Sequence, residues 1–96
     1  MSERQEKVSH EIAKAAALFL EKVSERNSLI TVTRVDISPD LRNSTIYITV
    51  LPESQEESAL FFCKRKMGDF KKYIKENLRM KIIPFFDVEI DRGERN

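Results

Sequence analysis

The sequence predicts an α+β two-layer sandwich with the element order α-β-β-α-(kink)-α-β, in which a three-stranded sheet carries helices on one face. Two observations lead to this prediction. Apolar residues recur every three to four positions in two long segments, and a period of two replaces that spacing in three short segments rich in β-branched residues. The 96 residues fit one domain with one core, which we place over the whole chain, 1–96.

The first element is an amphipathic helix, predicted from Ser2 to about Arg26. Apolar side chains fall on one helical face, and lysines, arginines and glutamates fill most of the other positions. The apolar set consists of Val8, Ile12, Ala15, Phe19 and Val23.

Two strands follow, and we expect them to pair as an antiparallel hairpin with a loop of about six residues. From Leu29 the period is two, which places on one face Thr31, Thr33, Val35 and Ile37. Residues 38–43 combine serine, proline, aspartate and asparagine, which favour a turn. The second strand is predicted from Ser44 to Leu51 and is ended by Pro52.

The second helical region is predicted as two helices, 55–67 and 69–80. Ser54 and Glu57 match a capping box at its start. Gly68 lies inside an apolar stripe, where a glycine costs about 1 kcal/mol relative to alanine, so it predicts a kink or a close backbone approach. The stripe consists of Leu60, Cys63, Met67, Phe70, Ile74 and Leu78. A third strand is predicted from Ile82 to Ile90, before a polar tail at 92–96.

The formal net charge of +1 hides one strongly basic segment. Residues 59–83 carry a net charge of +6, whereas the other segments are neutral or acidic. Their basic residues are Lys64, Arg65, Lys66, Lys71, Lys72, Lys75, Arg79 and Lys81. A helical projection places five of them within about a third of the circumference, opposite the apolar stripe, with Phe61 among them. These five are Lys64, Lys71, Lys72, Lys75 and Arg79. Such a face suits a nucleic-acid backbone, although an ordinary solvated helix face is the alternative interpretation.

Little in the chain suggests catalysis or a resident metal. His10 is the single histidine, and Cys63 falls in the apolar stripe, where we expect a buried thiol. Two glycines cannot build a phosphate-binding loop. The alternating acids of the last strand, Asp87, Glu89 and Asp91, are interpreted as a solvent-facing strand edge. The longest early apolar run has six residues, too short for a membrane span, and we expect a soluble, cytoplasmic protein.

Three stretches of the chain resemble the bacterial ribosome-binding factor A family. Residues 35–48 resemble the strand-turn-strand signature of the family, and Ser38-Pro39-Asp40-Leu41 and Tyr47 are the most specific part. Residues 79–86, followed by Asp91-Arg92-Gly93, resemble its ending. The tripeptide Lys66-Met67-Gly68 occupies the place of the family's alanine-x-glycine helix kink, with Lys66 where the family has alanine.

This resemblance implies a KH type II-like fold and a non-catalytic assembly factor without a cofactor or a metal. Such factors bind the immature small ribosomal subunit and its ribosomal RNA, assist late maturation of that RNA, matter most in the cold, and leave with the help of a GTPase. We expect a monomer that binds RNA or the ribosome through the eight basic residues of 59–83 and Arg42. The alternative is a KH-like protein-interaction adaptor that binds a partner chain through its sheet or its acidic last strand and does not bind RNA directly.

Overall fold

A computed structural model describes residues 2–24 and 27–93. Within these residues the chain forms three α-helices and a three-stranded sheet, which confirms the predicted α+β class and element order. The elements are α1 (Glu3–Val23), β1 (Leu29–Ile37), β2 (Asn43–Leu51), a short 3-10 helix (Glu53–Gln55), α2 (Glu56–Arg65), α3 (Met67–Asn77) and β3 (Phe85–Ile90).

The sheet has the strand order β1-β2-β3. β1 and β2 form the predicted antiparallel hairpin, closed by residues 38–42. β3 lies parallel to β2, with Asn43 opposite Phe85 and Ile48 opposite Ile90. A parallel pair needs a long crossover connection, and α2 and α3 supply it.

A β-bulge at Thr33 changes which side chains of β1 face the helices. Val32 pairs with Ile48 and Arg34 pairs with Tyr47, so Thr33 is an extra residue without a partner on β2. An extra residue reverses the alternation of a strand. The prediction that Thr31 and Thr33 share a face with Val35 and Ile37 is therefore wrong. Before the bulge the half-buried positions are Ile30 and Val32, and after it the buried positions are Val35 and Ile37.

The core lies between the helices and one face of the sheet. Ile46, Ile48 and Val50 of β2 are buried there, whereas Thr49 and Leu51 on the opposite face are exposed. The Phe70 ring of α3 lies 5.3 Å from the Phe19 ring of α1 and 4.8 Å from the Phe86 ring of β3, measured between centroids. This aromatic cluster packs α3 against both α1 and β3.

A capping box starts α1, at a place where the sequence analysis did not predict one. The Ser2 hydroxyl accepts a hydrogen bond from the Gln5 backbone N–H at 3.1 Å, and the Gln5 side chain accepts one from the Ser2 N–H at 3.0 Å. The Gln5 amide also donates to the Ile37 carbonyl, which ties this end of α1 to the end of β1. The helix ends at Val23, and the predicted end at Arg26 lies outside the described residues.

The capping box predicted at Ser54 and Glu57 is wrong. Ser54 lies inside the 3-10 helix, and α2 begins after Gln55 without a side-chain cap. Pro52, which precedes the 3-10 helix, adopts an extended conformation at φ −72° and ψ 160°. The chain therefore enters α2 through a tight turn rather than from an extended residue that could cap it.

The helix break lies at Lys66, two residues before Gly68, where the propensity argument placed it, but within the tripeptide Lys66-Met67-Gly68 that the family resemblance assigns to the kink. Lys66 ends α2 and precedes α3, and its N–H is shared among carbonyls of the last turn of α2. Gly68 lies in the first turn of α3, and a Cβ built there would meet nothing within 4 Å, so no close backbone approach requires glycine.

Two further boundaries differ from prediction. α3 ends at Asn77, where Leu78 turns to an extended conformation, so Arg79 lies beyond the helix that was predicted to reach residue 80. β3 begins at Phe85 rather than Ile82, immediately after the buried Pro84, because proline has no N–H to donate to a ladder.

Candidate nucleic-acid interface

Three lysines form a stripe along the outer face of α3. Lys71, Lys72 and Lys75 are exposed, and we call them the α3 lysine stripe. They follow Gly68 with the spacing i+3, i+4 and i+7, so the four residues share one side of the helix. No carboxylate of the described residues forms an ion pair with any of the three lysines. The stripe is therefore a cluster of positive charge without an ion-pair partner among the described residues.

The start of α3 adds hydrogen-bond donors beside the stripe. α3 begins without a side-chain cap on its first amide groups, and the absent side chain of Gly68 leaves the backbone open. Free N–H groups at a helix start attract anions, and phosphate oxygens bind them readily. Asp69, the single acid in this turn, opposes that attraction in part. Lys66 is half-buried, with its ammonium 5.6 Å from the Phe62 ring centroid.

The remaining predicted basic residues do not join the stripe. Lys64 forms an ion pair with Asp87 of β3 at 3.0 Å, and the Arg65 guanidinium lies 5.5 Å from the centroid of the Phe61 ring. Arg79 and Lys81 follow the end of α3, and Arg42 is exposed in the β1–β2 turn. The projected single face of five cations is thus wrong, because the break at Lys66 and the end of α3 at Asn77 divide it.

Phe61 is an aromatic side chain at the surface of α2. It is 65% exposed, and Arg65 one turn later lies beside its ring. An exposed ring beside a cation offers a surface on which an unpaired base can stack. Phe61 was predicted among five projected cations, but the cation beside its ring is Arg65, which is not one of those five.

Two acids of the last strand region, Asp87 in β3 and Asp91 just after it, have partners that favour the ionised form. Burial acts to raise the pKa of Asp87, but hydrogen bonds from Lys64 and from the Val88 N–H outweigh it and lower that pKa. The Thr33 hydroxyl donates to Asp91 at 2.6 Å, and this bond together with one from the Gly93 N–H lowers the pKa of Asp91. Carboxylates held in the ionised form are poor general acids.

The candidate catalytic and metal-binding residues are structural or isolated. Cys63 is fully buried, and burial raises the pKa of its thiol to about 11, so the nucleophilic thiolate is disfavoured. His10 is exposed on α1. Across residues 2–24 and 27–93, no group of three or more histidine, cysteine, aspartate or glutamate side chains is placed to hold a metal ion. No helix there has the length and apolarity needed to cross a bilayer.

Sequence reasoning did not single out two basic residues at the start of α1. Arg4 and Lys7 line a cleft together with Arg79 and Lys81. Residues 1–28 are neutral in sum, and a sum over a segment cannot reveal which of its charges face another segment. Only the fold brings these four side chains together.

Comparison with known proteins gives a consistent result. The family model for ribosome-binding factor A matches residues 4–96. A ribosome-binding factor A from Thermodesulfovibrio yellowstonii is 38% identical over 85 residues, which cover 83% of this chain and 72% of that protein.

Two structures share the fold. The crystal structure of ribosome-binding factor A from Thermus thermophilus superposes with a TM-score of 0.82 at 21% identity, and covers 93% of this chain and 98% of its own. A homology model of the Thermus thermophilus factor, fitted into a cryo-electron microscopy map of a complex with the 30S subunit, gives a TM-score of 0.77 at 22% identity, over 91% of this chain and 94% of its own. Together with the match over nearly the whole sequence, these similarities show that the chain belongs to the ribosome-binding factor A family.

Proposed function

We propose that this chain is a non-catalytic assembly factor that binds the immature small ribosomal subunit by contacting its ribosomal RNA. The observation that carries the proposal is the α3 lysine stripe, in which Lys71, Lys72 and Lys75 are exposed and have no ion-pair partner in the described part of the chain. The family's name and the 30S complex of the Thermus factor support a ribosomal partner.

The physical basis of binding is the release of counterions from the RNA backbone. Each cation that neutralises a phosphate contributes a log–log salt slope of about −0.7 to −0.9. Three contacts from the α3 lysine stripe therefore correspond to a slope of about −2 to −3. The uncapped start of α3 would hold a further phosphate oxygen through backbone N–H groups, and Phe61 would stack on an unpaired base.

The finer parts of the proposal follow from membership of the family. We propose that the chain acts as a single KH type II-like RNA-binding domain, works as a monomer in the cytoplasm without a cofactor, and assists late maturation of the ribosomal RNA, with most effect in the cold. A GTPase would promote its release. Beyond the stripe, the contacts would come from Lys64, Arg65, Lys66, Arg79, Lys81 and Arg42.

Charge reversal of the α3 lysine stripe tests this function. The variant Lys71→Glu/Lys72→Glu/Lys75→Glu should no longer sediment with purified immature small subunits, while circular dichroism shows a native spectrum and melting temperature. The unchanged protein should sediment with free small subunits and not with translating ribosomes. A variant that folds and still sediments fully would contradict RNA contact through α3.

A protein-interaction adaptor is the second candidate, and the open face of the sheet favours it. Leu29, Leu51 and Phe85 on that face are between 62% and 66% exposed. An adaptor should keep its partner after charge reversal of the α3 lysine stripe. It should lose the partner after Leu51→Ser/Phe85→Ser, a change that a ribosome binder would tolerate.

A further inference from the structure

A cleft of about 320 Å³ separates the first half of α1 from the segment that follows α3. We call it the α1 cleft. Its polar lining consists of Arg4, Lys7 and Glu11 from α1 and Arg79 and Lys81 from the segment after α3, and Leu41 of the β1–β2 turn also lines it. The two basic pairs are more than 70 residues apart in sequence, so the tertiary fold alone brings them together.

The α1 cleft concentrates positive charge. Four of its residues are cationic, Glu11 is the single acid, and no carboxylate in the described ranges forms an ion pair with any of the four. Like charges that line one concave surface reinforce one another and raise the local concentration of anions. The cleft is therefore built to receive an anion, with a net charge near +3.

Arg4 occupies a position that does not favour a cation. It lies in the first turn of α1, where the helix dipole favours the acids Glu3 and Glu6. A positive charge there opposes helix stability by a few tenths of a kcal/mol. The stability of α1 therefore gives no reason for a cation at this position, and an anion in the cleft would offset the cost.

Leu41, one of the residues that line the α1 cleft, has an energetically unfavourable backbone conformation. Leu41 has φ +62° and is only 8% exposed. A bulky residue in the left-handed region costs roughly 1–2 kcal/mol. A tight turn enforces this conformation, because the Ser38 carbonyl accepts from the Leu41 N–H at 2.9 Å and the Asp40 carboxylate accepts from the Ser38 hydroxyl at 2.6 Å. The turn thereby places an apolar side chain in the lining of the cleft, and Arg42, the next residue, is exposed.

We propose that the α1 cleft binds phosphodiester groups of the RNA backbone and extends the binding surface from α3 to α1. The inference rests on the proposed function, since it names a second contact site for the same RNA. Arginine pairs with phosphate through two parallel hydrogen bonds, and Arg4 and Arg79 supply one such group each. Lys75 and Arg79 are four residues apart, at most about 14 Å along the chain, so one strand can contact both sites.

Neutral variants with a matched control test the α1 cleft. The test pair is Arg4→Gln/Lys7→Gln, and the control pair is Lys14→Gln/Lys22→Gln, which also removes two cations from α1. Affinity for purified immature small subunits is measured over a range of salt concentrations. The test pair should lower the salt slope by about 2, since each lost phosphate contact lowers it by about 1. The control pair should leave the slope unchanged.

Folding can be separated from binding. Glutamine favours helix, and removal of Arg4 relieves an unfavourable dipole interaction, so the test pair should melt at or slightly above the temperature of the unchanged protein. If it melts lower, the single variant Lys7→Gln, which keeps Arg4 and removes a cation that the proposed function does not use, should lower the slope by about 1.

The α1 cleft and the proposed function can fail separately. An unchanged slope for the test pair, or an equal reduction for both pairs, overturns the cleft as a phosphate site. In that case Lys71→Gln/Lys72→Gln/Lys75→Gln, if it weakens binding, leaves the proposed function intact. If neither α3 nor cleft variants change the slope, both proposals are wrong.

Discussion

Replacement of Phe70 by alanine tests how α3 and its lysine stripe are held on the sheet. Phe70 is fully buried, and its ring lies 4.8 Å from Phe86 and 5.3 Å from Phe19 between centroids. Truncating such a side chain removes its burial and leaves a cavity, because the α1 and β3 backbones cannot close the space. The expected loss in the free energy of unfolding is about 3–5 kcal/mol.

This loss is large relative to the total stability. A domain of 96 residues has a free energy of unfolding of about 5–14 kcal/mol. The melting temperature of a domain of this size falls by roughly 4–8 °C for each kcal/mol lost, so Phe70→Ala should lower it by at least about 12 °C. Urea unfolding followed by circular dichroism measures the free energy, and a thermal scan measures the melting temperature.

Phe61→Ala is the matched control, since it makes the same chemical change at a side chain that is 65% exposed. It should cost no more than about 0.5 kcal/mol. The reasoning is refuted if Phe70→Ala costs less than about 1 kcal/mol, or if the two variants lose equal stability.

Three further predictions follow from the site. Cys63 should resist alkylation in the folded protein at pH 8 and react fully in urea, because the thiol is buried and its pKa is raised to about 11. Mass spectrometry measures the extent of alkylation in both conditions, and fast labelling of the folded protein would contradict the burial. Asp87→Asn should lower stability at pH 6, and lower it less at pH 3, which is below the ordinary aspartate pKa of 3.8. Although burial acts to raise the pKa of Asp87, hydrogen bonds from Lys64 and the Val88 N–H outweigh it and lower that pKa, so the carboxylate stabilises the fold at pH values above the ordinary aspartate pKa and loses this contribution as the pH falls. Equal losses of stability at both pH values would refute this. Lys66→Ala should keep the melting temperature within about 2 °C, since alanine tolerates φ −87° and ψ −2°. The same variant should lower the salt slope for subunit binding by about 1, and an unchanged slope would exclude Lys66 from the interface.

Periodicity in the sequence was sufficient to predict the layer architecture but not the local geometry within it. The apolar spacing in the helices and the alternation in β2 arise from burial on one face, which is a property of the sequence pattern itself. The bulge at Thr33 has no such pattern, because an extra residue is tolerated wherever the two strands can twist around it. The face of the sheet to which the apolar residues of β1 belong therefore changes at the bulge, and nothing in the composition of β1 indicates the change.

The position of the helix break shows why helix propensity alone predicted the kink at Gly68, two residues too late. Gly68 is the poorest helix former in its segment, yet the first turn of a helix tolerates glycine and α3 places it there. The break occurs at Lys66, whose backbone needs no unusual φ. Cys63 and Met67, which flank the break, are both buried, so the bend keeps the apolar stripe in the core on both sides of Lys66.

The sign of the charge at the candidate site could be predicted from the sequence, but the arrangement of its basic residues could not. A net charge of +6 over residues 59–83 indicated an anionic partner, and the exposed Lys71, Lys72 and Lys75 agree with that indication. The ion pair of Lys64 with Asp87 and the cleft between Arg4 and Arg79 depend on contacts between distant segments. Such contacts cannot be obtained from the charge of one segment.

The most direct measurement of the central claim is site-specific crosslinking on purified immature small subunits. A photoreactive amino acid replaces Lys72 on the α3 lysine stripe in one variant and Leu51 on the opposite face of the sheet in another. Leu51 is 63% exposed, so both probes are accessible to solvent. Our account predicts crosslinks to ribosomal RNA from position 72 and few or none from position 51. Crosslinks to RNA from position 51, or to protein alone from position 72, would contradict it.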